Sequence, residues 1–258
     1  IIVTEKNFDE WKNGVLFINT KNIRKLLAQI SFSIFKKKPN NLIAVTGTNG
    51  KSSVSDFYYQ ILLLNNKKVA SIGTLGVRSN NFNLNLFNTT IDPINLGKIL
   101  TKLKKRKIEN VIMEASSHGL HQNRLDGLMF NSAIFTNLSQ DHLDYHKNFK
   151  NYLSAKLYLF QNLIKKGGFV ITDDKIPEFT KIKNIISKIT YFFPPAVGES
   201  ILQSCSPCSQ RAFMECSAGV AFVHVIITKV LLQLRSAHVS FQFLHGPVLM
   251  CAQCSLPP

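Results

Sequence analysis

The stretch Leu42-Ile43-Ala44-Val45-Thr46-Gly47-Thr48-Asn49-Gly50-Lys51-Ser52-Ser53 decides how the rest of this chain is read. A short apolar run predicts a buried strand, and small and polar residues then make a turn. Beyond it, Val54, Phe57, Tyr58, Ile61 and Leu62 recur at helical spacing, which predicts one inward helix face over 53–64. Strand, glycine turn and helix in that order are the setting a phosphate-binding loop requires. Glycines let backbone N–H groups turn toward an anion, and the helix N-terminus adds positive potential. Lys51 is expected on the β- and γ-phosphates and the Ser52 hydroxyl on Mg²⁺. Val45 stands where the strict eight-residue pattern has its first glycine, so an ordinary strand-to-helix turn is the competing reading.

Outward from this loop the alternation continues. Residues 69–72, 111–113, 132–135 and 169–172 read as strands, and 152–160 as a helix. Residues 95–107 read as a basic amphipathic helix with Leu96, Ile99, Leu100 and Leu103 inward. Residues 15–18 and 23–34 give a further strand and helix. The predicted fold class is α/β with a mostly parallel sheet. In such sheets ligands gather at the carboxyl ends of the strands. Glu114 closes one strand and is placed to hold Mg²⁺; a solvated residue or a helix cap is its alternative. Another strand runs into Thr136-Asn137 and a loop crowded with Asp and His up to His146, which suits metal or nucleotide contacts or a solvated loop.

Five ordered segments together resemble the Mur ligase family, MurE type. They are VTGTNGKSS (45–53), NTTIDP (88–93), MEASSHGLHQNRLDG (113–127), TNLSQDHLDYH (136–146) and YLSAKLYLF (152–160). The resemblance covers about residues 10–190. It implies an ATP-dependent amide-forming ligase of cytoplasmic peptidoglycan precursor synthesis, adding diaminopimelate or lysine to UDP-MurNAc-L-Ala-D-Glu through an acyl phosphate. It implies ATP binding by Gly47, Thr48, Asn49, Gly50, Lys51, Ser52 and Ser53. Glu114 and His142 match metal-ligand positions beside Ser52. Asn88, Thr89, Thr90, Ser116, Gln122 and Arg124 match positions that contact the UDP-substrate. Lys156 matches the lysine these enzymes carry as a carbamate; without the resemblance it reads as a helix-surface lysine. Lys51, Glu114, His142 and Lys156 thus form the implied catalytic set. Ile91 departs from the family's usual Pro, which should alter loop stiffness more than chemistry.

Composition divides the chain. Residues 1–190 hold 23 Asn and no Cys, whereas 191–258 hold no Asn and all five Cys. Lys and Arg number 28 before that boundary and 3 after it. The tail reads as foreign or frameshifted sequence, with a separate module as the alternative. Its pairs Cys205/Cys208 and Cys251/Cys254 are too far apart for an ordinary zinc ribbon. Its apolar stretch 212–234 is broken by Glu215, His224 and Lys229, against a membrane span. The expected organisation is 1–40 as the end of a UDP-substrate domain, 41–190 as an incomplete ATP-binding domain, and 191–258 unassigned. Starting at Ile1 with no leader-like segment, the chain reads as processed or truncated. With no amino-acid-binding domain evident, the expectation is weak nucleotide binding at best and no complete ligase activity. The formal charge of +16 raises a nucleic-acid-binding alternative with a C-terminal zinc site. Basic residues interleaved with aromatics near the Cys pairs are absent, so neither a nucleic acid nor a membrane is expected as partner. Another Mur-type or a folylpolyglutamate-type ligase is the alternative within the same class.

Overall fold

The computed structural model describes residues 1–7 and 11–186. The readings of the five cysteines and of 212–234 lie outside those residues. In chain order the elements begin with β1 (Ile2–Thr4), β2 (Trp11–Lys12), β3 (Val15–Asn19) and α1 (Ile23–Ile34). Then follow β4 (Asn41–Thr46), α2 (Lys51–Leu64), β5 (Val69–Gly73), β6 (Gly76–Ser79) and α3 (Pro93–Lys105). The remainder is β7 (Asn110–Glu114), α4 (Ser117–His121), β8 (Phe130–Phe135), α5 (Leu143–His146), α6 (Phe149–Asn162), β9 (Ile164–Ile171) and α7 (Phe179–Ile186). Strands β1, β3 and β2 form a small sheet in that order.

The main sheet runs β6-β5-β7-β4-β8-β9, parallel except for the β5/β6 hairpin. Alternate residues of β4 reach opposite faces, as strand geometry dictates. Ile43 and Val45 pack with Val54, Tyr58 and Leu62 of α2. Leu42 and Ala44 lie in the larger core with Leu96, Leu100 and Leu103 of α3 and Leu153 and Phe160 of α6. Ala28 and Phe32 of α1 belong to that same core. Thus β4 feeds a helix on one face while its neighbours β7 and β8 feed elements on the other. The loops part above β4 and leave a crevice there. Register levels the three strand ends, with Val45 opposite Glu114 and Thr46 opposite Phe135.

Local chemistry explains the helix boundaries. Asn22, Asp92 and Asn148 cap α1, α3 and α6 by accepting from the backbone N–H three residues on. Pro93 starts α3 and Lys102, Lys104 and Lys105 end it, matching the helix dipole. Helix α2 differs. Gly50 precedes it at φ 80° with no side-chain cap, which leaves its first N–H groups open to an anion.

The expected inward face of α2 needs one correction. Val54, Tyr58 and Leu62 are buried, but Phe57 is 42% exposed and Ser55 and Tyr59 take the inward stripe. Strand β9 starts five residues earlier than 169, taking in Lys165, Lys166, Gly167 and Gly168 ahead of the apolar run. An edge strand tolerates such charged residues, and a register shift near Phe130 accommodates the glycines.

Candidate active site

A cleft of about 350 Å³ opens over the carboxyl ends of β4, β5 and β7. Its lining includes Thr48, Asn49, Gly50, Lys51, Ser52, Ser53, Thr89, Glu114, Ser116, His142 and Lys156. All eleven were named from the sequence.

The loop after β4 is held from several sides. Thr48 N–H donates to Asn137 O at 3.0 Å, and Asn49 N–H donates to Asn137 Oδ1 at 2.9 Å. Thr136 Oγ1 donates to Asn49 O at 2.7 Å. Gly47 has φ 150°, and any β-carbon there would run into Thr136 Oγ1. Only glycine lets the loop lie so close to the end of β8. Lys51 Nζ folds back to Gly47 O and Thr48 O, at 3.0 and 2.7 Å. Burial lowers its pKa, with Glu114 and Asp141 opposing.

Glu114 is 3% exposed and fully engaged. It accepts from Ser52 Oγ (3.0 Å), Thr74 N–H (3.0 Å) and Thr74 Oγ1 (3.1 Å). It is neither a solvated residue nor a helix cap. Its oxygens and the Ser52 hydroxyl suit a hard cation such as Mg²⁺, which keeps several waters and takes few carboxylates. Among the described residues no three His, Cys, Asp or Glu side chains form a set that could hold a metal by themselves. His142 sits at φ 52° before α5, its ring partly exposed beside Asp141. It lies in a group of rings with His118 (4.8 Å between centroids) and Tyr152 (6.2 Å). Burial, then neighbouring cations, hold His118 below its ordinary pKa and His146 down to about 4.

Lys156 is not on a helix surface. It is 1% exposed on the inner side of α6. Its Nζ donates to Gly47 O at 2.6 Å and lies 4.4 Å from the centroid of the Tyr152 ring. Burial, then the Lys51 charge, lowers its pKa to about 7.

The expected substrate residues divide. Thr89 and Ser116 line the cleft, and Thr89 Oγ1 lies 3.1 Å from Thr74 Oγ1. Asn88 is exposed and outside the lining. Thr90 is turned inward: its hydroxyl donates to Glu114 O and accepts from Ser116 N–H. These two bonds fix the backbone beside Glu114. Arg124 donates to Thr90 O at 2.5 Å and twice to Gln122 Oε1, at 3.0 and 2.7 Å. Gln122 Nε2 in turn donates to Tyr145 OH at 3.2 Å. Neither Gln122 nor Arg124 is in the cleft lining itself.

Sequence reasoning missed Thr74, Ser117 and Tyr152, which also line the cleft. Thr74 follows the carboxyl end of β5, the same signal that located Glu114. Tyr152 lies four residues before Lys156 and so shares its helix face. Its OH is 3.0 Å from Thr48 Oγ1, tying α6 to the loop.

Fold and cleft define a P-loop α/β domain with an acidic strand end poised beside the loop. The pattern of the Mur ligase middle domain matches residues 45–195. The chain belongs to the Mur ligase family. It is 46% identical over 180 residues to the UDP-N-acetylmuramoyl-L-alanyl-D-glutamate--2,6-diaminopimelate ligase of Rickettsia bellii, covering 68% of this chain and 38% of that one. It is 39% identical over 206 residues to the enzyme of the same name from Wigglesworthia glossinidia brevipalpis, covering 70% and 40%. The chain thus spans well under half the length of these relatives. A solved structure of a ligase of that name superposes with TM-score 0.61 at 29% identity, over 71% of this chain and 38% of the other. E. coli FolC in complex with DHPP and ADP shares the fold at TM-score 0.51 and 17% identity, over 68% of this chain and 47% of the other.

Proposed function

We propose that this chain carries the ATP- and UDP-substrate-binding part of a ligase that joins diaminopimelate to UDP-MurNAc-L-Ala-D-Glu. One observation carries the reading: the phosphate loop, the Ser52–Glu114 pair and the buried Lys156 meet in a single cleft. The proposal keeps 41–190 as the ATP-binding part and 1–40 as the end of the UDP-substrate part. A folylpolyglutamate-type activity has only the shared fold in its favour.

In this reading the open N–H groups of α2 and Lys51 hold the β- and γ-phosphates of ATP. Ser52 and Glu114 hold Mg²⁺, with His142 at the rim, and the cation supplies charge neutralisation on the phosphates. Lys156, with a pKa near 7, is neutral often enough to take up CO₂. The resulting carbamate would turn a buried cation into an anion facing the same cleft. Arg124 and Gln122 orient the carboxylate-bearing end of the UDP-substrate. The substrate's γ-carboxylate attacks the γ-phosphate, ADP departs, and the amine of the incoming amino acid displaces phosphate from the acyl phosphate. The protein's contribution is positioning and charge balance.

Equilibrium dialysis with UDP-MurNAc-L-Ala-D-Glu tests the reading. Saturable binding is expected for the wild-type chain, lost in Arg124→Ala while Mg²⁺·ATP binding persists. A wild-type chain that ignores this substrate but binds generic DNA with steep salt dependence would favour the nucleic-acid reading instead.

A further inference from the structure

Asp126 lies outside the cleft lining, yet it is 3% exposed. A carboxylate so buried needs partners to offset lost hydration. It has three, from three parts of the chain. Tyr158 OH of α6 donates to Oδ1 at 2.7 Å. Asn123 Nδ2 donates to Oδ2 at 3.2 Å. Lys25 Nζ of α1 stands 3.6 Å from Oδ1. Asn123 has φ 56°, a left-handed conformation uncommon outside glycine but most accessible to Asn and Asp. Its Oδ1 accepts from Nδ2 of Asn22, the residue that caps α1, at 2.9 Å.

The turn from Gln122 to Asp126 carries Gln122 and Arg124. Its inner side is Asn123 and Asp126. On its other side the Arg124 guanidinium grips Gln122 Oε1 and Thr90 O. We propose that Asp126 is a positioning residue: with Asn123 it locks the left-handed turn that presents Gln122 and Arg124 to the UDP-substrate, and it ties that turn to the start of α1. Docking of α1 and order in the substrate-facing turn are then one event. Reference to the UDP-substrate rests on the proposed function; the coupling of α1 to the turn does not.

The test is amide hydrogen exchange on the full chain, joined to binding measurements. Asp126→Ala is expected to raise exchange at 119–126 and at 22–26 together, by about tenfold or more, and at 47–52 by less than about twofold. The double exchange Asn123→Asp with Asp126→Asn reverses donor and acceptor and keeps every hydrogen bond; it gives up only the ion pair with Lys25, whose side chain is 42% exposed and whose contribution is small. The carboxylate now at position 123 would accept from Asn22 and from the amide now at position 126. That amide's oxygen would accept from Tyr158. This variant is expected to restore wild-type protection. If Asp126→Ala does not fold, Tyr158→Phe removes one bond to the same carboxylate and should loosen the same two segments. Loosening in only one segment, equal loosening of the phosphate loop, or a double variant as loose as the single one would overturn the coupling. The dissociation constant for UDP-MurNAc-L-Ala-D-Glu should rise about tenfold in Asp126→Ala with that for ATP unchanged. Unchanged UDP-substrate affinity would overturn the positioning role. A wild-type chain that fails to bind the UDP-substrate contradicts the proposed function alone, because the exchange experiment needs no ligand.

Discussion

At the scale of single residues, Lys156 is the least expected feature of the site. Its helix segment, YLSAKLYLF, gives no reason to bury the lysine. The i, i+4 spacing puts it beside the Tyr152 ring, but the contact that holds its amine inside, with Gly47 O, is tertiary and not visible in local spacing. Glu114 was legible as a carboxylate at a strand end, with a solvated residue or a helix cap left open as its alternative. The buried lysine has a measurable consequence. Its pKa falls from 10.5 to about 7 on folding. Between those values the unfolded chain binds more protons, so stability rises with pH by at most about 1.4 kcal/mol per pH unit. Below pH 7 the full cost of burying the charge is present. Lys156→Met is expected to stabilise the chain at neutral pH and to remove this slope, as read by urea denaturation in CO₂-free buffer. The same slope in both proteins would show that Lys156 does not titrate this way. Gly73 offers a second check. A β-carbon there would run into the Glu114 carboxylate. Gly73→Ala should therefore weaken Mg²⁺·ATP binding about tenfold or more while circular dichroism stays native.

At the scale of elements, the strands flanking the phosphate loop were readable because each is a short apolar run between turn signals. The edges were harder. Strand β6 is a four-residue antiparallel partner of β5, and β9 opens with Ile164, Lys165, Lys166 and two glycines. Both are stabilised by neighbours that periodicity does not reveal. Helices were found through their apolar stripes, but caps fix their ends. Asn148→Ala removes the cap of α6, the helix that carries Tyr152 and Lys156. It should cost about 1 kcal/mol in a denaturation experiment. Leu100→Ala, a fully buried position on α3, should cost about 2–5 kcal/mol. Leu64→Ala, 83% exposed at the end of α2, should cost under about 0.5 kcal/mol. Equal effects at the two leucines would contradict the placement of the core.

At the scale of the whole molecule, the opening loop is more than a candidate anion site. It marks the strand from which the chain winds to both sides of the sheet. That topology brings Glu114, His142 and Lys156, far apart in sequence, to one cleft. The positive charge follows a Lys-rich composition, and only Lys51, Lys156 and Arg124 are assigned to the site. Among the described residues no helix is long and apolar enough to cross a membrane. What the sequence could not show was how α1 joins the body. Its Ala28 and Phe32 enter the main core, and its first turn meets Asp126. The central claim is that one cleft built on the phosphate loop binds Mg²⁺·ATP. Nuclear magnetic resonance titration of the full chain with Mg²⁺·ATP tests it most directly, since it detects even weak binding. Saturable shifts confined to 47–53 and the other residues lining the cleft, Thr74, Glu114, His142, Tyr152 and Lys156 among them, and abolished in Lys51→Ala, are the predicted result. Shifts elsewhere, or shifts that persist in Lys51→Ala, would contradict it.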